Sequence, residues 1–249
     1  IPAEPLFQSS ISVPIDNYLT TWDLSGVTGM GYMFSNSKYN EVKMPGGEFS
    51  NLTNVQYMFY YSTIDKIDFE ESTCPLLVNA QYMFCYSTYI GSLNIGKFDF
   101  SHVTNMYDLF YNGTYGEIIL DGIDTSSAEN MGCVFGSIKG IEKLDLSDWD
   151  FDSAKNMYGF FYYSELKEVK IGNVNSPNLQ SIDSMFYNTP YLEKIDWGTF
   201  DTSSVTSADS MFSNSGIIKL DLSPLDFSKI KNFSNFLLGS NNLVEIITP

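Results

Sequence analysis

The pair Met-Phe recurs along the chain at Met33-Phe34, Met58-Phe59, Met83-Phe84, Met185-Phe186 and Met211-Phe212. Leu109-Phe110, Val134-Phe135, Phe160-Phe161 and Phe236-Leu237 fill the gaps, so that the second members stand 25, 25, 26, 25, 26, 25, 26 and 25 residues apart. Self-similarity at a fixed period of this length marks a repeat architecture, in which each unit buries its apolar side against its neighbours. Three residues before each pair lies another apolar residue, from Met30, Val55 and Ala80 to Ala208 and Phe233. An apolar i, i+3, i+4 stripe predicts a helical turn or two. After each anchor, apolar positions alternate with period two, as in Val42/Met44, Ile67/Phe69, Leu144/Leu146 and Leu220/Leu222. That alternation predicts a short strand with one buried face.

The distance from the first strand residue to the next anchor is constant at 17, from 42 to 59 through 220 to 237. The extra residue of a 26-residue repeat therefore falls between anchor and strand, in a Ser/Asn/Gly/Tyr-rich turn, where insertions are tolerated. Between strand and predicted helix runs a third motif, as in Trp22-Asp23-Leu24-Ser25, Phe98-Asp99-Phe100-Ser101 and Leu225-Asp226-Phe227-Ser228. Its Asp is placed as a helix N-cap, and Ser126 with Glu129 has the spacing of a capping box. The expected fold is an α/β solenoid of about nine coils, with one continuous parallel β-sheet on one face and short helices on the other. Residues 22–249 form the solenoid, and residues 1–21, which are off the pattern, form an N-terminal cap. The last repeat stops at Pro249 without an obvious cap, so the array is expected to continue.

Hydrophobic residues make up 43% of the 249 and aromatics 16%, which excludes a disordered chain. Thirteen basic residues, all Lys, stand against thirty acidic ones, for a net charge of −17. Arg forks and dense basic patches are what grip phosphate, so nucleic acid and anionic membrane are not expected partners. No apolar run is long enough to insert directly into a membrane.

The segments Leu144-Asp145-Leu146-Ser147, Leu220-Asp221-Leu222-Ser223, Phe200-Asp201-Thr202-Ser203 and Val103-Thr104-Asn105-Met106, read with the Met-Phe anchors, resemble the BspA-like leucine-rich-repeat surface proteins. The resemblance covers about residues 22–246. The chain departs from that family in carrying Ser, Gly or Thr three after the anchor, as at Ser37, Gly113 and Thr189, where the family often has Cys. The resemblance implies a leucine-rich-repeat-type solenoid at an extracellular, cell-surface location. It also implies an adhesive role towards host matrix protein, mucin or epithelial glycoprotein, and it names no ligand.

Two surfaces are candidates for contact. Residues between the buried strand positions form charge rows, with Lys43 beside Asp68 and Asp145 beside Lys170 beside Asp196. These rows either keep the sheet soluble and in register or make a polar binding face. The turn after the anchor is rich in tyrosine in several coils: Tyr57, Tyr60, Tyr61, Tyr82, Tyr86 and Tyr111, with Tyr162, Tyr163 and Tyr187 further on. Such rings either cover the turn by packing on one another or form an exposed aromatic ladder for peptide or sugar.

Catalytic chemistry is sparse. His102 stands at a repeat position filled elsewhere by Gly26, Asn51, Leu76 or Ser127, and Cys74, Cys85 and Cys133 fall at three different repeat positions. One Asp per coil suits backbone capping better than calcium, which wants six to eight oxygens in one loop. The expectation is a binding module with no enzymatic activity, no cofactor and no metal. The alternative is a structural stalk that displays another domain.

Overall fold

A computed structural model describes residues 22–249. The cap expected over 1–21 lies outside the described residues. The strands are β1 (Lys38–Met44), β2 (Gly47–Glu48), β3 (Thr63–Phe69), β4 (Ser72–Thr73), β5 (Thr88–Asn94), β6 (Thr114–Ile119), β7 (Lys143–Leu146), β8 (Glu168–Ile171), β9 (Lys194–Asp196), β10 (Lys219–Asp221) and β11 (Glu245–Ile247). All pairings between them are parallel. Within each sheet, a long strand lies beside the equivalent strand of the next coil: Val42 faces Ile67, Ile67 faces Leu93, and Leu93 faces Ile118.

The helices of the expected α/β class are absent among the described residues, and the fold is a parallel β-solenoid. The reason lies in the anchor turn. Two residues per coil sit in the left-handed region, two before and two after the anchor: Tyr32 (φ 60) and Asn36 (φ 54), Tyr57 (φ 60) and Tyr61 (φ 54), Tyr82 (φ 59) and Tyr86 (φ 58), and so on to Asn235 (φ 53) and Gly239 (φ 77). A left-handed residue every fourth position breaks the i to i−4 ladder of an α-helix. The backbone bonds go elsewhere. Met30, Tyr32, Phe34 and Asn36 donate N–H to the carbonyls of Asn54, Gln56, Met58 and Tyr60 in the next coil at 2.9, 3.2, 2.8 and 2.8 Å. Met33 and Ser35, between them, close local turns onto Met30 and Tyr32 at 3.3 and 3.1 Å. The anchor segment is thus a stacked ribbon of turns whose alternate N–H groups bridge coils.

The apolar stripe keeps its role without the helix. Met30, Met33 and Phe34 are buried, as are their counterparts through Met211 and Phe212. The anchor rings form one column: Phe34 on Phe59 at 5.0 Å, Phe59 on Phe84 at 5.3 Å, Phe84 on Phe110 at 5.5 Å and Phe110 on Phe135 at 5.2 Å, all within 15° of parallel. The column runs on through Phe161 and Phe186 to Phe212.

The Asp residues placed as helix caps accept the expected bond. Asp99 Oδ1 takes the Ser101 N–H at 3.0 Å, Asp150 Oδ1 that of Asp152 at 2.8 Å, and Asp201 Oδ1 that of Ser203 at 2.8 Å. They close turns that no helix follows. The capping box does not form, and Glu129 pairs with Lys155 at 2.8 Å instead.

The sheet is also not continuous. The long strands fall into three runs, β1-β3-β5-β6, β7-β8-β9 and β10-β11, with β2-β4 a small fourth sheet. After β6 a single bridge links Thr114 to Lys139. Gly140 follows at φ 84 with its Cα against the Tyr115 backbone. A residue in that conformation turns the chain out of the ladder.

Candidate functional site

An amide ladder supports the turn ribbon. Asn54, Asn79, Asn105, Asn130 and Asn156 lie side by side in successive coils. Each turns its Oδ1 onto the N–H two residues on: Gln56 at 2.8 Å, Gln81 at 3.1 Å, Tyr107 at 3.2 Å, Gly132 at 3.4 Å and Tyr158 at 2.9 Å. Along the stack, Asn130 Nδ2 donates to Asn105 Oδ1 at 3.1 Å and Asn156 Nδ2 to Asn130 Oδ1 at 2.9 Å. Ser181 accepts the Asp183 N–H at the same repeat position, so a hydroxyl can substitute for the amide. Fixed in this way, the turn presents the residues beside the anchor at the same height in every coil.

In the first four coils many of those residues are tyrosines. Tyr32, Tyr57 and Tyr82 form a column with ring centroids 4.6 Å apart and planes within 13°. Tyr61 and Tyr86 form a second column at 4.6 Å and 7°. Tyr60 wedges edge-on between the two, 5.1 Å from Tyr57 and 4.6 Å from Tyr61. Tyr107 and Tyr111 close the columns edge-on, 5.9 Å from Tyr82 and 5.8 Å from Tyr86. Gly132 and Gly136 make room for them, since a Cβ on either would meet the Tyr107 or Tyr111 ring at 2.9 or 2.8 Å.

The structure therefore brings together Tyr57, Tyr60, Tyr61, Tyr82, Tyr86 and Tyr111. Two members were not picked out as candidates: Tyr32, which shares a repeat position with Tyr57 and Tyr82, and Tyr107, offset by one. Tyr57 has both ring faces covered, and burial with the neighbouring phenols pushes its hydroxyl up to about 12. Tyr32 and Tyr61 are 47% and 49% exposed. Segments 29–37, 54–62 and 79–87 carry no charged residue, and Asp108 is the one charge within 105–113. A chain of net charge −17 thus has an uncharged strip of Tyr, Ser, Asn and Gly along one edge.

The charge rows divide. Lys170 pairs with Asp145 at 3.2 Å, and Lys143 with Glu168 at 2.9 Å. Asp196 is beside Lys170 in register, and all five line an open groove across β7–β9. Lys43 and Asp68 are register neighbours, while the short contact in that row is Lys66 to Glu41 at 2.9 Å. Exposed pairs of this kind contribute little to stability, and the alternation of sign along the rows is what cross-strand pairing requires.

The remaining candidates stay apart. His102 is exposed, with its Nδ1 2.9 Å from Ser101 Oγ. Cys74, Cys85 and Cys133 are buried free thiols. Burial pushes the Cys74 thiol up to about 11 and that of Cys133 to about 12, far from the range of a nucleophile. Among the described residues no group of three His, Cys, Asp or Glu is placed to hold a metal ion. No helix there is long and apolar enough to cross a membrane.

Comparison with curated proteins returns no match. The family described as "Mycoplasma protein of unknown function, DUF285" matches three overlapping stretches, residues 4–89, 78–197 and 163–247. Each spans several coils, as expected of a repeat sliding along an array. With nearly the whole sequence covered, the chain belongs to the DUF285 family.

Proposed function

We propose that this chain is a binding rod of a cell-surface protein, and that its contact face is the uncharged tyrosine strip. The partner class is a host extracellular protein or glycoprotein: matrix protein, mucin or an epithelial surface component. The observation that carries this reading is the backbone conformation of the tyrosines. Tyr32, Tyr57, Tyr61, Tyr82, Tyr86 and Tyr163 all hold positive φ, between 54 and 60. A left-handed conformation costs a residue with a side chain about 1–2 kcal/mol, and Asn and Gly tolerate it best. Other coils place Asn36, Asn112, Asn188, Asn214 and Gly239 at the position of Tyr61, Tyr86 and Tyr163, and Gly159 and Asn235 at that of Tyr32, Tyr57 and Tyr82. Ring stacking returns about 0.5–1.5 kcal/mol per pair, which at best offsets the strain. The left-handed conformation recurs in every described coil, also at Cys133, Ser137, Ser184 and Ser210, so the turn does not need tyrosine, and the use of tyrosine where Asn or Gly would be less strained points to a function of the rings.

Composition supports the same face. Tyr, Ser, Asn and Gly are what antibody paratopes use, because tyrosine offers large contact area with few rotamers to freeze. The resemblance to BspA-like surface proteins supports the location and the adhesive role. The test is binding to immobilised matrix proteins, mucin and epithelial cells, with Tyr61→Asn and Tyr86→Asn as variants. Asn suits the backbone and removes the ring, so folding is kept while saturable binding falls at least tenfold. Undiminished binding by the double variant would remove the strip from the account; no saturable binding by the folded wild type to any surface would remove the adhesive role.

A second reading, a stalk that displays another domain, is favoured by the coil-to-coil backbone bonding. It predicts that the folded chain binds none of these surfaces, while deleting whole coils from the full protein shortens its reach without loss of any affinity.

A further inference from the structure

Asp108 interrupts the tyrosine column. The position two before the anchor is Tyr32, Tyr57 and Tyr82 in the first three coils and Asp108 in the fourth, at φ 56. Its backbone is tied on both sides. The Asp108 N–H donates to the Gly132 carbonyl at 2.9 Å, and its carbonyl accepts the Tyr111 N–H at 3.1 Å. Its Oδ1 is buried and has no hydrogen-bond partner. The titratable groups facing it are Tyr82 and Cys85 from the preceding coil, Tyr107 and Tyr111 from its own, and Cys133 from the next. No cation is among them, and the neighbouring Cys133 thiol donates to the Tyr158 carbonyl at 3.6 Å. A thiol is a weak donor. Asp108 is half-buried, and a carboxylate with one oxygen shut away among phenols and thiols has lost part of its water and gained little in return, so this environment favours the neutral acid. The rings that surround it belong to the strip.

We propose that Asp108 is a proton-operated lock of the tyrosine strip: as the neutral acid it stays packed between Tyr82, Tyr107 and Cys133, and its ionisation opens the turn 105–113 and loosens the columns that end there. The effect on a partner rests on the binding role proposed above; the opening itself does not.

Burial pushes the Asp108 carboxyl from 3.8 up to about 7. A raised folded-state value means that the closed turn holds its proton more tightly than the open one. The closed state is then most favoured below about pH 4, is weakened as pH rises towards about 7, and changes no further above that.

Amide exchange of segments 105–113 and 130–137, corrected for intrinsic rates, reads this without any ligand. In the wild-type chain the opening constant should rise about tenfold per pH unit between about pH 5 and 6.5, then level off. In Asp108→Asn, which keeps the shape of the neutral acid and a residue suited to positive φ, it should be flat. A flat wild-type profile, or an Asn variant that climbs as steeply, overturns the proposal. A carboxyl carbon titration of Asp108 by NMR on the wild-type chain needs no variant: a midpoint near 7 supports the lock, and one near the ordinary 3.8 refutes it. Because both readouts omit the partner, their failure is separate from failure of the strip to bind.

Discussion

Replacing Asn130 by Ala removes the centre of the amide ladder. Its Oδ1 accepts the Asn156 Nδ2 at 2.9 Å and, more weakly, the Gly132 N–H at 3.4 Å, while its Nδ2 donates to Asn105 Oδ1 at 3.1 Å. Two good bonds and one long one are lost. At about 0.5–1.5 kcal/mol per bond the loss comes to about 1–3 kcal/mol, reduced towards the lower half because the side chain is only half buried. Asn54 at the same repeat position makes one of these bonds, to the Gln56 N–H at 2.8 Å. Asn54→Ala should accordingly cost about 0.5–1.5 kcal/mol. Asn130→Ser should fall between wild type and Asn130→Ala, because a serine hydroxyl performs the local half of the task at Ser181. Urea unfolding followed by circular dichroism gives the ranking, and amide exchange in segments 105–113 and 130–137 shows whether the loosening is local. Asn130→Ala within error of wild type, or Asn54→Ala as the costlier change, would refute the reasoning.

Phe59 stacks between Phe34 and Phe84, so Phe59→Ala should destabilise by about 3–5 kcal/mol in denaturant unfolding. Loss of less than about 1 kcal/mol would mean that the column is not a packed core. The three thiols should not react with a thiol reagent at pH 8 in the native chain, because burial raises them well above that pH, and all three should react in guanidinium. Rapid native labelling would contradict their placement. Lys143→Ala should leave the urea midpoint unmoved, since both partners of its pair with Glu168 are largely in solvent. A shift that grew at low salt would instead make the charge rows structural.

The strands and the columns were legible because a solenoid turns each repeat position into a row. Val42, Ile67 and Leu93 line up in space for the same reason that they line up in the sequence. The helices were misread because a period near 3.6 is not the only source of an i, i+3, i+4 apolar stripe. A ribbon of turns with a left-handed residue every fourth position buries the same Met30, Met33 and Phe34. The sequence carried a warning in Asn36, Asn112, Asn188, Asn214 and Gly239, which occupy one repeat position and are poor in a helix interior but good at positive φ. The tyrosine strip was legible as clustering. The exception was the strain under it, because nothing in the letters of Tyr57 or Tyr61 distinguishes a left-handed backbone from a helical one. Asp108 was missed because a single acid in an uncharged segment shows its burial only once Tyr82, Tyr107 and Cys133 are in place around it. The break after β6 had Gly140 as its only sign.

Alternate amides of the anchor turn bond across coils and not along a helix. Scalar couplings through hydrogen bonds, measured by NMR on labelled protein, read donor and acceptor directly. Couplings are expected from the Phe34 N–H to the Met58 carbonyl, from Phe59 to Met83 and from Phe84 to Leu109, across bonds of 2.8, 2.8 and 2.9 Å. Couplings from Phe59 back to the Val55 carbonyl, the i−4 partner of an α-helix, would contradict this bonding.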